Sequence, residues 1–149
     1  MKLKALLPPT WLFMAAMAML LLHFLIPVHE VVPSPYSYLG APLILAGLAL
    51  NIWADQLFKR AGTTVKPGER STSLIVCGPY RFTRHPMYLG MIASLVGLAV
   101  LLGSVTPWAV VLAFILLVTI RYMPAEEKAM EEAFGEEYRR YCQRTRRWL

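Results

Sequence analysis

Charged side chains are scarce in this 149-residue chain: Asp, Glu, Lys and Arg make up 16% of it, against 57% hydrophobic residues. An ordinary soluble domain carries roughly 25% charged residues, so a water-soluble globular class is excluded. Cysteine is rarer still, with Cys77 and Cys142 far apart and outside any C-x-x-C pattern. That spacing supports neither a disulfide framework nor a zinc site, and reduced thiols are expected. His23, His29 and His85 do not stand at metal-ligand spacing, so no metal is expected. No G-x-G-x-x-G follows a strand-like run, which removes the dinucleotide-type cofactor fold. No small-residue cleavage pattern follows the first apolar stretch either. Ile26-Pro27-Val28-His29-Glu30 is a poor processing site, and the stretch reads as a helix of the mature protein.

What fills the chain instead is apolar sequence. A span needs about 20 residues to cross a hydrocarbon core of roughly 30 Å. Four segments qualify, at about 9–26, 36–58, 86–103 and 106–122, the first and third near the lower length limit. The expected fold is all-α, a polytopic membrane protein in which 1–149 form one domain of four transmembrane helices plus a cytoplasmic C-terminal amphipathic helix. All fifteen Lys and Arg lie in the first four residues (Lys2, Lys4), the 59–84 loop and the tail from Arg121. The connections at 27–35 and 103–106 carry none. Lys/Arg bias toward the cytoplasm therefore puts both termini and the central loop on the inner side of the cytoplasmic membrane. The net charge of +6 reads as topology and contact with anionic membrane lipids. Divided among flanking sites, it does not point to nucleic acid as a partner.

Local signals fill in the outline. His23 near the outer end of the first span reads as interfacial. Asn51 and Asp55, four apart, share a helix face and serve as packing glue or border a polar pocket. Residues 60–76 carry turn formers and small polar groups, and their apolar end, Leu74-Ile75-Val76, argues for docking. Gly90, Ala93, Ser94 and Gly97 form a small-residue stripe that permits close helix approach. Pro124 opens a new helix with Glu126 and Glu127 in its first turn. Met130, Phe134, Tyr138 and Tyr141 recur at helical spacing on it. Arg139, Arg140, Arg144, Arg146 and Arg147 read as contacts to phospholipid headgroups.

Chemistry concentrates at the inner ends of the third and fourth spans. An ionisable group costs roughly 2.5–3.5 kcal/mol at the centre of a membrane helix, so a cluster at a helix mouth is either an interfacial anchor or a site for a charged ligand. Arg81, Arg84 and His85 precede the third span, and Arg121, Glu126 and Glu127 follow the fourth. The short turn between these spans makes them antiparallel neighbours and brings the two clusters to one level. Cations and anions side by side over an apolar floor suit a zwitterionic ligand that must meet a lipid. Taken singly, the arginines can be positive-inside anchors, His85 a cap, and Tyr80 and Tyr88 an aromatic belt.

Two motifs carry a resemblance. Gly-Pro-Tyr-x-x-x-Arg-His-Pro-x-Tyr-x-Gly spans Gly78–Gly90, and paired glutamates, Glu126-Glu127, lead to Phe134-Gly135, Tyr138 and Tyr141. In this pattern, from about Thr63 to the C-terminus, the chain resembles the isoprenylcysteine carboxyl methyltransferase family and specifically its short prokaryotic relatives. The related membrane phospholipid N-methyltransferases share the paired glutamates. The resemblance implies an S-adenosyl-L-methionine-dependent methyltransferase with cofactor segments at 63–90 and 121–141. By position it assigns cofactor contacts to Thr72, Ser73, Leu74, Ile75, Tyr80, His85, Pro86, Met87, Tyr88 and Glu126. Arg84 joins His85 as a partner for the methionyl carboxylate, while Glu126 accepts from its ammonium.

Methyl transfer is an in-line displacement that gains from positioning. A carboxylate acceptor such as a prenylcysteine-like acid is already ionised and would be oriented by Arg121. An amine acceptor must lose a proton, for which Glu127 is the candidate base. The expected reaction is carboxyl O-methylation of a lipophilic acceptor arriving from the bilayer, with N-methylation of a phospholipid or small amine as the alternative. There is one departure. The family's substrate arginine sits four residues before the first glutamate, where this chain has Tyr122. Arg121 is five before, a rotation of about 100° on a helix that the Pro124 break would have to offset. Outside enzymology, a transporter would carry ionisable residues at mid-membrane, where spans three and four have none; a scaffold remains the other alternative.

Overall fold

A computed structural model describes residues 8–26, 29–62 and 72–149. Six α-helices follow in chain order: α1 (Pro8–Leu25), α2 (Gly40–Arg60), α3 (Pro86–Leu102), α4 (Thr106–Leu117), α5 (Met123–Phe134) and α6 (Glu136–Arg144). There is no β-strand among the described residues. With α2 extended by the 3-10 turn at Tyr36–Leu39, three helical runs are long and apolar enough to cross a membrane: Pro8–Leu25, Tyr36–Arg60 and Thr106–Phe134. The fourth apolar helix, α3, has 17 residues and reaches only about 25 Å at 1.5 Å per residue. Large apolar side chains such as Phe13, Leu21, Leu45, Ile52, Leu112, Leu116 and Ile120 are exposed. In water such a surface would aggregate; it is the lipid-facing surface of a membrane protein.

Helices α2 and α3 meet along their glycines. A Cβ added to Gly90 would lie 2.7 Å from the Gly47 carbonyl oxygen, and one on Gly97 would lie 2.7 Å from that of Gly40. Both pairs are seven residues apart, which returns a helix to nearly the same face after two turns, so the antiparallel backbones touch twice. Ser94 donates to the Gly90 carbonyl at 2.9 Å within the same stripe. Asn51 fills the space beside Gly90, in keeping with a packing role.

Helix α3 begins at Pro86, whose missing N–H costs nothing there. It stops at Gly103, left-handed at φ 74°, whose N–H returns to Ala99. The resulting turn lets α4 run back beside it. Val31 and Val32 donate to the Gly103 carbonyl, and His23 Nδ1 meets Ser104 Oγ at 2.8 Å, tying α1 to the same end. The main core joins α1, α3 and α4 through Met19, Leu95, Ala99, Val111, Phe114, Val118 and Met123. A second cluster of Ala54, Phe58, Ile75 and Tyr80 sits under the end of α2.

Pro124 does not open a separate helix as the sequence suggests. The chain runs on from α4 to α5 through a π-helical turn, Val118–Tyr122, with Met123 N–H bonded back to Val118. A proline in a helix removes one donor and crowds the carbonyl four residues earlier; widening the preceding turn relieves that crowding. The expected single terminal helix is instead two, α5 and α6, joined at Gly135 with φ 52° and ψ −118°, a conformation open mainly to glycine. At the same level the Trp11 indole donates to Tyr122 Oη at 2.6 Å. Trp11→Phe removes that bond and is expected to cost about 1 kcal/mol, measured as a shift of the thermal transition in detergent.

Candidate functional site

Two stretches distant in sequence meet at this end of α3 and α4. The Gly78–Arg81 3-10 turn and the Phe82–His85 bend bring Arg84 and His85 to the start of α3. The π-turn brings Glu126 and Glu127 to face them. His85, 7% exposed, lies between the two carboxylates: Nδ1 is 3.5 Å from Glu126 and Nε2 is 3.2 Å from Glu127. A neutral imidazole has one N–H, so only the doubly protonated ring can donate to both. Tyr88, one helical turn into α3, donates to Glu126 at 2.5 Å. Arg84 lies 3.3 Å from Glu127 and donates to Cys142 Sγ at 3.1 Å. Its Nε is buried and has no hydrogen-bond partner, a costly state for a cationic donor.

Glu127 is the most heavily engaged group. Arg147 grips it with two donors, Nε at 3.0 Å and Nη2 at 2.5 Å. The charged residues from Glu126 onward lie past the apolar length needed to cross a bilayer, because the 29-residue run Thr106–Phe134 extends about 43 Å. Burial raises the Glu127 pKa, but the bonds from Arg147 and His85 and the Arg84 charge outweigh it, holding the carboxyl below its ordinary range. A depressed carboxyl pKa contributes stability that is present above the unfolded value and lost as pH falls through the folded one. Acid should therefore loosen this cluster before it disturbs the apolar core.

Helix α6 closes the site from the other side. Tyr138 and Tyr141 are buried, and Tyr141 donates to the Tyr80 carbonyl at 2.7 Å. Burial pushes the phenols of Tyr80, Tyr138 and Tyr141 above their ordinary range, so they remain neutral donors. A cleft of about 540 Å³ opens between α5 and α6, bordered by Arg84, Glu127, Glu131, Tyr138, Arg139 and Cys142. It reaches the contact cluster at Arg84 and Glu127; His85, Tyr88 and Glu126 are not in its wall.

The residues expected from the sequence thus fall into three groups. Arg84, His85, Tyr88, Glu126 and Glu127 are in direct contact. Ile75, Tyr80 and Met87 belong to the adjoining apolar cluster, Pro86 is buried at the α3 start, and Thr72, Ser73 and Leu74 lead into it. The 63–71 part of the first cofactor segment lies outside the described residues, as do Lys2, Lys4 and Pro27-Val28. Arg121, expected beside the glutamates, is exposed and does not join the cluster. Tyr122 is there in its stead, its ring 6.5 Å from that of Tyr88. No motif marks Arg147 or Trp11, and Tyr122 stands out in the sequence only as the residue at the family's arginine position. The one sequence signal for Trp11 is an indole N–H inside an apolar run, which has to find an acceptor.

Among the described residues no group of His, Cys, Asp or Glu is arranged to hold a metal ion; the carboxylates here are already matched by arginine and histidine. Comparison with known proteins gives three results. Residues 36–137 match the profile of the phospholipid methyltransferase family. An uncharacterised protein of Haemophilus influenzae is 41% identical over 63 residues, which is 42% of this chain and all of that protein. The nickel-cobalt-cadmium resistance protein NccN of Alcaligenes xylosoxydans xylosoxydans is 31% identical over 78 residues, 52% of this chain and 36% of that protein. The chain therefore spans about a third of the length of this second relative. No solved structure matches.

Proposed function

The chain belongs to the phospholipid methyltransferase family, and from that we propose that it transfers a methyl group from S-adenosyl-L-methionine to a lipophilic acceptor at the cytoplasmic membrane face. In this reading α1, α2, α3 and residues 106–122 are four spans, with both termini inside. The observation that carries it is the seating of His85 between Glu126 and Glu127, which assembles donors and acceptors for a zwitterion at a helix mouth.

The residues present fit the cofactor's chemistry. Glu126 is one-third exposed and offers a carboxylate to an ammonium group. His85 and the unpartnered Nε of Arg84 offer donors to a carboxylate. Tyr80, Ile75 and Met87 supply aromatic and apolar surface beside them. When bound, S-adenosylmethionine supplies an activated methyl group on a sulfonium. The chain's own task is to hold these partners fixed, shed water and line up an acceptor, and such positioning is worth several kcal/mol, up to about 7–11 in ideal cases.

The motifs favour a prenylcysteine-like acid as acceptor, its carboxylate needing a cation to orient it. A second reading, an amine acceptor, is favoured by a specific observation: Arg121 is exposed and the Tyr122 ring lies beside Tyr88 at that level. Both nearby arginines are engaged with Glu127, which leaves Glu126 amid aromatic rings, an environment that attracts a cation. Titration calorimetry with S-adenosylmethionine tests the cofactor assignment, and saturable binding is expected. Incubation with labelled cofactor, followed by mass spectrometry of membrane lipids, separates the acceptors: label in an ester for the acid, in an alkylated nitrogen for the amine. Wild-type protein that takes up no cofactor would refute the whole reading.

A further inference from the structure

The segment at 145–149 is fastened to the turn that carries the site. Thr83 and Arg146 pair as an isolated parallel bridge. The Arg84 N–H donates to the Arg146 carbonyl at 3.0 Å, and the Thr83 hydroxyl donates to the Arg147 carbonyl at 3.0 Å. Thr83 and Thr145 are 2% and 5% exposed at this joint, and Trp148 packs against the main core. None of these contacts uses the Arg147 side chain. The guanidinium is presented by a segment seated independently of it.

That guanidinium takes both oxygens of Glu127 in a fork that lysine cannot reproduce. Arg84 and His85 both approach the same Oε1 as the Arg147 Nε. Three groups crowd Oε1 and the second arm of the fork holds Oε2, and a carboxylate held on both oxygens by cations is an anchor rather than a base. The charges balance in the same way. Two arginines, Arg84 and Arg147, offset two glutamates, Glu126 and Glu127, before His85 is counted. Removing Arg147 takes one positive charge out of that balance, where a cofactor carboxylate would have to approach.

We propose that Arg147 is a positioning residue: it locks Glu127, and the locked Glu127 orients the His85 ring against Glu126. The proposal rests on the assignment of His85 and Glu126 to the cofactor. It is tested by calorimetric titration of S-adenosylmethionine into the wild-type chain, Arg147→Ala, Arg147→Lys, Glu127→Gln and the Arg147→Ala/Glu127→Gln double variant. The ring ¹⁵N signals of His85 are followed in the same proteins without cofactor. Arg147→Ala is expected to weaken binding about tenfold or more with helical circular dichroism retained, while Arg147→Lys recovers only part of the loss. Because Arg147 acts through Glu127, the double variant should bind no more weakly than Glu127→Gln alone, and the His85 signal should move in Arg147→Ala. Wild-type affinity in Arg147→Ala, or additive losses in the double variant, overturns the proposal. Should Arg147→Ala fail to fold, the lysine variant carries the comparison, and unchanged binding in it overturns the proposal. If the wild type binds no cofactor, the cofactor assignment fails while the His85 signal still decides the positioning claim. A ring signal unmoved by loss of Arg147 rejects it; a moved one sustains it.

Discussion

His85→Ala is expected to abolish measurable S-adenosylmethionine binding and methyl transfer while leaving the helical fold intact. The ring is the shared partner of Glu126 and Glu127, so its loss does more than delete one contact. Hydrogen bonds to charged groups contribute about 1.5–3 kcal/mol, which corresponds to roughly 10–100-fold in affinity. That is the loss expected of Glu126→Ala, where one acceptor disappears and Tyr88 loses its partner. His85→Ala should exceed it, because the cofactor carboxylate loses its imidazole donor and Glu126 loses the ring beside it, while Glu127 stays held by Arg84 and Arg147. Calorimetry measures both variants. Near-normal binding by either would remove that residue from the cofactor site, and retained helical circular dichroism ensures that the loss is local.

The largest structural effect is expected from Gly97→Leu. Its Cβ would sit 2.7 Å from the Gly40 carbonyl oxygen and 2.8 Å from the Ile44 backbone nitrogen, so the obstacle is backbone that no side-chain rotation can clear. Overpacking costs typically 1–3 kcal/mol, and forcing apart two touching helices should reach about 3 kcal/mol or more. The thermal transition in detergent should fall steeply, and Gly90→Leu should behave alike against Gly47. Gly135→Ala provides a contrast, because there a Cβ meets nothing within 4 Å and the penalty is the positive φ alone. Equal stability of Gly97→Leu and wild type would mean that α2 and α3 are not in backbone contact.

Much of this architecture is legible in the residues. The apolar runs mark α1, α3, the end of α2 and the start of α4 to within about two residues, because a lipid-facing helix needs apolar side chains on most sides. The stripe at Gly90, Ser94 and Gly97 announces a close contact, although its partners Gly40 and Gly47 become apparent only in three dimensions. The Arg-His-Pro turn and the paired glutamates announce a polar meeting point, because ionisable groups seldom sit at helix mouths without partners. The helix through Pro124 was not legible: proline reads as a break, and nothing local reveals that a widened turn will absorb it. That same turn decides which of Arg121 and Tyr122 faces inward. Arg147 was hidden for a different reason. It lies among Arg144 and Arg146 in a basic run that lipid headgroups explain equally well, and only its two-donor contact with Glu127, set up by the pairing of Thr83 with Arg146, selects it.

A seventeen-residue α3 among longer neighbours also acts on the bilayer around it. In the four-span arrangement it falls about 5 Å short of a hydrocarbon layer of roughly 30 Å, and lipids beside a short helix accommodate by local thinning. On the proposed topology the polar mouth of α3 would then lie in a dent of the leaflet it faces. Headgroups there would sink toward His85 and Glu126, and the acceptor of the proposed reaction would present its reactive end while its tail stayed in the membrane.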